Sequence, residues 1–395
     1  MDLPKTVIPR AEKAAKPAIA LPVALFAGLT AMLVFLAFFQ PSIHHDIWHQ
    51  MALARESIRL GYVPAEDRFA YTPTIRPSIH HEWGAGFVAL AVAKAAGAPG
   101  VAALNFLLAG LTALLCALHF RDGHAGFPLP WLGTLLAAGM VKYSFAWPVA
   151  AQSYSVLLTA VLLRALWQDR AGRRIWIAYW LPLFALWSNL HGGLVVGLAV
   201  AGAHALEQAW RRQPWRHIAL VVAAMLALIS VNPYGFGYYR FLLYANSMPR
   251  PFIPEWNSMW LLPPATPIAA PFLLSLAVFL YALGKAGPRS MHGFLIVLML
   301  AAGSARTMKL VPFYALAWLF TVPGALGRTP LGSRLEALLC RRQNAMGLAC
   351  AALAPLLLAG IWFTKPWALV VPGDAASGGS RLAYPAGPVE YLAAN

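Results

Sequence analysis

Apolar residues gather along this chain into runs of roughly 14 to 22, separated by short polar stretches. Runs of this length are too long for strands and approach the ~20 residues that a membrane-spanning helix needs. They lie near 17–39, 99–119, 127–144, 147–166, 175–188, 190–207, 216–231, 267–284, 290–303, 310–324 and 344–363. The pattern therefore predicts an all-α integral membrane protein with about eleven spans, within a range of nine to thirteen. Residues 1–364 form one polytopic domain, and 365–395 are expected as a short external tail. Two runs, 175–188 and 290–303, are short for a span and set the width of that range.

The stretch from Trp83 to Gly97 decides the topology. It is apolar but only about 15 residues long, short of a full span. Basic residues arbitrate, because they concentrate on the cytoplasmic side. If the stretch does not span and the N-terminus is inside, eighteen of the thirty Lys and Arg residues face the cytoplasm. If it spans, the ratio inverts. The stretch is therefore expected to lie on the external surface, within an external loop covering 40–98. Lys5, Arg10, Lys13 and Lys16 precede the first run like the start of a secretory signal. That run is too long, and no small-x-small cleavage site follows, so it is expected as a retained span.

Composition narrows the class further. The chain of 395 residues is 60% hydrophobic and 11% charged, with a mean hydropathy of +0.62, which excludes a water-facing surface over most of its length. The net charge of +16 follows from basic anchors beside the apolar runs. No basic, aromatic-interleaved module for nucleic acid is present. Cys116, Cys340 and Cys350 lack CxxC spacing and lie in or beside apolar runs, so they read as packing residues. No internal repeat marks a transporter built from paired halves.

Polar clusters other than the basic anchors fall on the predicted external face: His44-His45-Asp46-Ile47-Trp48-His49, His80-His81-Glu82-Trp83, Asn189-Leu190-His191-Gly192-Gly193, Asn232-Pro233-Tyr234-Gly235, Glu255-Trp256-Asn257 and Ser304-Ala305-Arg306. Ionisable residues gathered at one membrane boundary point to a site there. Within the loop, Ile47, Met51, Ala54 and Ile58 recur at helical spacing while Gln50, Glu56 and Arg59 take the other face, predicting a surface-lying amphipathic helix. A Gly61–Pro64 break ends it, a polar excursion through Glu66-Asp67-Arg68 and Tyr71-Thr72-Pro73 follows, and His81-Glu82-Trp83 opens the second surface helix.

Asp46 is a carboxylate at a helix start just beyond the first span, where it reads either as a proton acceptor for an incoming hydroxyl or amine or as an N-cap. Glu82 carries the same alternatives, its structural role being charge at a helix N-terminus. His45, His49 and His81, with these carboxylates, offer donors for a divalent metal; otherwise they orient the carboxylates or bond headgroups. Lys142, Gln152, His191, Arg306 and Lys309 lie near external span ends and need partners. Arg306 and Lys309 suit a phosphate; the alternative is pairing with Glu255 or Glu82, or snorkelling. Gly192-Gly193 and Asn232-Pro233-Tyr234-Gly235 read as turns.

The ordered set Asp46-x-Trp48-His49, Gly61-x-x-Pro64-x-x-Asp67-x-Phe69-x-Tyr71-Thr72, His81-Glu82-Trp83, Asn189-x-His191-Gly192, Asn232-Pro233-x-Gly235, Glu255-Trp256 and Arg306 resembles bacterial polytopic proteins of the GT-C glycosyltransferase superfamily over about residues 40 to 315. The resemblance implies a GT-C-like bacterial inner-membrane transferase. Its N-terminus would be cytoplasmic and its site periplasmic, taking sugar from a polyprenyl-phosphate-linked donor and passing it to an acceptor that the sequence does not name. Carried over, the acidic residue of the first external loop is Asp46, the general base of an inverting transfer. Glu82, His49, His81 and Trp83 would position the base or acceptor, and His191, Glu255, Arg306 and Lys309 would line the substrate site. The chain departs from many relatives in reading Ala151-Gln152 where they have Arg-Pro, and in the short region after Tyr384-Pro385. The rival reading is a non-catalytic lipid- or polymer-handling membrane protein, a flippase or assembly partner, which would need a polar path across the bilayer.

Overall fold

The computed structural model describes residues 45–70, 72, 74–122, 129–144, 150–261 and 268–364, and all regular structure among them is helical. The expected first span at 17–39, the N-terminal basic cluster, His44, Tyr71 and the tail 365–395 lie outside the described residues, as do the side chains of His45, Lys142 and Cys350. The helices are α1 (His45–Leu60), α2 (Trp83–Asp122), α3 (Leu129–Ser144), α4 (Gln152–Asp169), α5 (Trp176–Leu190), α6 (Leu194–Trp210), α7 (Arg216–Leu228), α8 (Gly237–Ser247), α9 (Ala269–Ala286), α10 (Phe294–Arg306), α11 (Val311–Leu326), α12 (Pro330–Arg341) and α13 (Gln343–Thr364). By length and apolar composition, Trp83–Arg121, Ala269–Ala286 and Met308–Leu326 suffice to cross a membrane. Leu129–Val141, Leu194–Trp210, Arg216–Leu228 and Phe294–Arg306 are shorter apolar helices.

The first of these long helices has a break in it. Gly97 adopts φ 63 and ψ −160, a conformation that only glycine adopts readily, so 83–96 and 98–122 are two helical pieces. The boundary coincides with the end of the short apolar stretch read from the sequence.

α11 is the hub. Buried residues occur all round it, from Val311 through Tyr314 and Trp318 to Leu326, as expected of a helix enclosed by others. Its polar groups are satisfied by α9: Tyr314 Oη lies 2.9 Å from Ser275 Oγ, and Trp318 Nε1 donates to the Ser275 carbonyl at 2.8 Å. On α5, Trp176, Trp180, Phe184 and Trp187 are all fully buried. Their spacing of three or four residues puts them on one helix face, where Trp180 and Trp187 pack edge to face at 6.1 Å.

Two sequence expectations are corrected. In α1 the buried stripe is Ile47, Gln50, Leu53, Ala54 and Ser57, whereas Ile58 is exposed. The helix is rotated from the predicted face because Gln50 points its amide inward to a carboxylate. Cys340, expected as a packing residue, is exposed on α12, while Cys116 is buried.

The polar connections collect into two groups. At one end of the bundle, Asp169 accepts Trp176 Nε1 and pairs with His217, both at 2.9 Å. There too, Glu207 accepts the backbone N–H groups of Gly293 and Leu295 at 2.7 and 3.1 Å and pairs with Arg211, so a carboxylate caps the start of α10. Arg211 Nη2 in turn donates to the carbonyls of Pro288 and Met291, and Arg328 to that of Ser290. The histidine- and turn-bearing motifs form the other group.

Candidate functional site

Two glycines let three chain segments meet at Glu82. The run His81-Glu82-Trp83-Gly84-Ala85-Gly86 enters α2. A methyl group at Gly86 would collide with the Gln50 carbonyl of α1, and one at Gly84 with the Asn189 carbonyl at the end of α5. Glycine at both positions therefore sets the approach distance. On the far side, Tyr234 in the Asn232-Pro233-Tyr234-Gly235 turn accepts the His80 backbone N–H at 3.1 Å and donates to the Pro64 carbonyl at 3.3 Å. The loop is thereby pinned to the turn that follows α7.

The Glu82 carboxylate is enclosed by donors. Gln50 Nε2 bonds Oε2, while Oε1 faces His191 Nε2 at 3.3 Å and His81 Nε2 at 3.5 Å. The backbone N–H of Gly193 donates to His191 Nδ1 at 2.9 Å. Nδ1 is therefore an acceptor, His191 is neutral, and its proton is on Nε2 toward Glu82. Ser155 Oγ lies 2.7 Å from the same Nδ1 and accepts Trp187 Nε1 at 2.7 Å. A side chain at Gly193 would strike Ser155, which accounts for the second glycine of the His-Gly-Gly turn. Burial alone would raise the Glu82 carboxyl, but the imidazoles of His81 and His191 and the ammonium of Lys309 outweigh it and hold it at about 2. The group is ionised throughout the neutral range.

Beside this network opens a cavity of about 770 Å³. Val156, Val195, Phe241, Leu300 and Phe313 give it apolar walls, and Arg250, Arg306 and Lys309 bring three cations to it. Lys309 is paired to Glu255 at 2.9 Å and lies 4.7 Å from the centre of the Trp256 ring. The Arg250 guanidinium lies 4.0 Å from the same ring centre, so one indole fixes two cations within roughly 9 Å of each other. Arg250 Nη1 is buried with no hydrogen-bond partner among the described residues. The segment is tied down by Met308 N–H donating to the Asn257 carbonyl at 3.1 Å and Ser258 Oγ to that of Ala305 at 2.8 Å. A guanidinium with one buried N–H group unpartnered, on a cavity that Arg306 and Lys309 also line, can donate to the oxygens of a phosphate.

The structure brings His81, His191, Arg306 and Lys309 together on the cavity, with Glu82 paired to two of these lining residues, His81 and His191, and Glu255 to Lys309. Gln152 also lines it. Asp46, in the first turn of α1, is exposed and is not among the described lining residues. His49 packs against Phe69 and His80, with ring centres 5.4 and 6.0 Å away. Trp83 stacks edge to face on Phe87, and its buried N–H has no partner among the described residues. For Glu82 the sequence left open a proton acceptor or charge at a helix start; its carboxylate is bonded by Gln50 and faced by His81 and His191. Of the metal candidates, His81 faces Glu82 and His49 faces Phe69. No group of three His, Cys, Asp or Glu side chains suited to a metal occurs among the described residues.

Arg250, Ser155 and Trp187 were not singled out from the sequence. Arg250 stands in Pro249-Arg250-Pro251, where a rigid turn displaying a cation was the available signal. Ser155 and Trp187 lie inside apolar helices and carried none. No protein-family model and no curated protein sequence matches the chain.

Proposed function

We propose that the protein is a GT-C-like membrane glycosyltransferase of about eleven spans, acting at the external face of a bacterial inner membrane on a polyprenyl-phosphate-linked sugar. The observation that carries this reading is the cavity, where apolar walls suited to a lipid chain meet three cations suited to its phosphate. Four of the six motifs read as external from the charge distribution, those of His81, His191, Trp256 and Arg306, contribute lining residues, in keeping with a single external site. In an inverting transfer the acceptor attacks the anomeric carbon and the lipid phosphate leaves. Arg250 and Arg306, with Lys309 held by Glu255, would neutralise the charge that grows on that phosphate. The acceptor's proton passes to a group of the 46–82 segment, for which the resemblance nominates Asp46.

The flippase alternative is less well supported. Among the described residues, a small cavity of about 40 Å³ bordered by His119, Arg170, His204 and His292 shares no lining residue with the large one. Mass spectrometry of lipids copurifying with the protein tests the proposal. A polyprenyl phosphate or its glycosylated form is expected with the wild type, and at least tenfold less with Arg250→Ala, a loss of about 1.4 kcal/mol. Copurification of ordinary phospholipids alone, in both proteins, would refute it.

A further inference from the structure

The network around Glu82 bears on which group removes the acceptor's proton. Glu82 is ill-suited: both its oxygens already face donors, Gln50 on one and His81 with His191 on the other. His191 is also committed, with Nδ1 taken by Gly193 and Ser155 and Nε2 directed at Glu82. His81 is different. It lines the cavity and its Nε2 faces Glu82 Oε1 at 3.5 Å. The Cδ2 edge of its ring lies against Gly192, where an added methyl would stand 3.0 Å from Cδ2. Phe241 flanks the ring, with centroids 5.3 Å apart. With the proton on Nε2 toward the carboxylate, Nδ1 on the opposite edge carries the lone pair.

We propose that His81 is the general base of the transfer and Glu82 its positioning carboxylate, in place of Asp46. This rests on the glycosyltransferase reading. In the step, the proton of an acceptor O–H passes to His81 Nδ1, and the acceptor oxygen forms a bond to the anomeric carbon. The bond from that carbon to the phosphate oxygen breaks, and its electron pair leaves on the lipid phosphate, beside Arg250 and Arg306. Glu82 stabilises the imidazolium that forms, as an ionised carboxylate behind an imidazole does. The titratable groups near His81 are Glu82, His191 and His80, and Lys309, which lines the same cavity, acts on Glu82.

The test uses the full-length protein in nanodiscs with a short-chain polyprenyl phosphohexose as donor and water as acceptor, following release of polyprenyl phosphate against pH. His81→Asn and His81→Gln are expected to lower the rate at least about 100-fold and to abolish the acid limb of the profile. Added imidazole should restore part of the rate in His81→Gln, while donor binding, read by copurified lipid, persists. Glu82→Gln should move the acid limb to lower pH, which loss of packing alone would not do. Asp46→Asn should keep the acid limb of the wild-type profile. If Asp46→Asn is inactive and His81→Asn keeps the wild-type profile, the assignment to His81 is overturned and the enzyme reading stands. If the wild type turns over no donor, the enzyme reading falls, and this assignment with it.

Discussion

Ser155 Oγ stands 2.7 Å from His191 Nδ1 while accepting the indole N–H of Trp187, so one buried hydroxyl joins the aromatic ladder of α5 to the histidine that faces Glu82. Removing it leaves the Trp187 N–H without an acceptor in a fully buried setting. Ser155→Ala is therefore expected to cost about 1–3 kcal/mol, read as a lower unfolding midpoint in detergent. Ser155→Thr keeps the hydroxyl but adds a methyl beside Gly193, and is expected to be destabilised as well. A wild-type midpoint for Ser155→Ala would contradict the bonding described.

The glycines of α2 make a paired prediction. Gly86 lies against the Gln50 backbone, whereas Gly110, farther along the same helix, has nothing within 4 Å of an added methyl. Gly86→Ala should push α1 away, destabilise the protein by about 1–3 kcal/mol and lower activity. Gly110→Ala should be neutral or stabilising by up to about 1 kcal/mol, from helix propensity alone. Equal midpoints for the two variants would remove the close approach as an explanation for Gly86.

Acid should weaken the fold through Glu82. Its carboxyl is lowered in the folded protein from an ordinary 4.5 to about 2, so its stabilisation is complete above about 4.5 and is lost as pH falls toward 2. The thermal midpoint of the wild type in detergent should drop across that window. Glu82→Gln should start lower at neutral pH and show a flatter drop, because the amide does not titrate. A parallel pH dependence in the two proteins would assign the drop to other carboxylates.

The helix succession was legible because apolar runs and basic punctuation are local signals, and the break at Gly97 falls where one short run ends. The pairing of Lys309 with Glu255 was among the alternatives the sequence left open. The rotation of α1 was not legible. A glutamine counts as polar in any periodicity argument, and only its long-range partner Glu82 makes the inward orientation favourable. Arg250 was obscured similarly: in a chain with so many basic residues, one more cation in a loop reads as a topological anchor until Trp256 is seen to hold it beside Lys309.

The corner at Gly97 also acts as a ruler. Each residue between it and Trp83 advances the helix by ~1.5 Å and turns it by roughly 100°. Losing one residue there would swing the His-Glu pair off its partners while leaving the helix beyond the corner undisturbed. Segment length upstream of the bend thus governs both the height and the heading of the site's chemistry, independently of how the bundle itself is tilted.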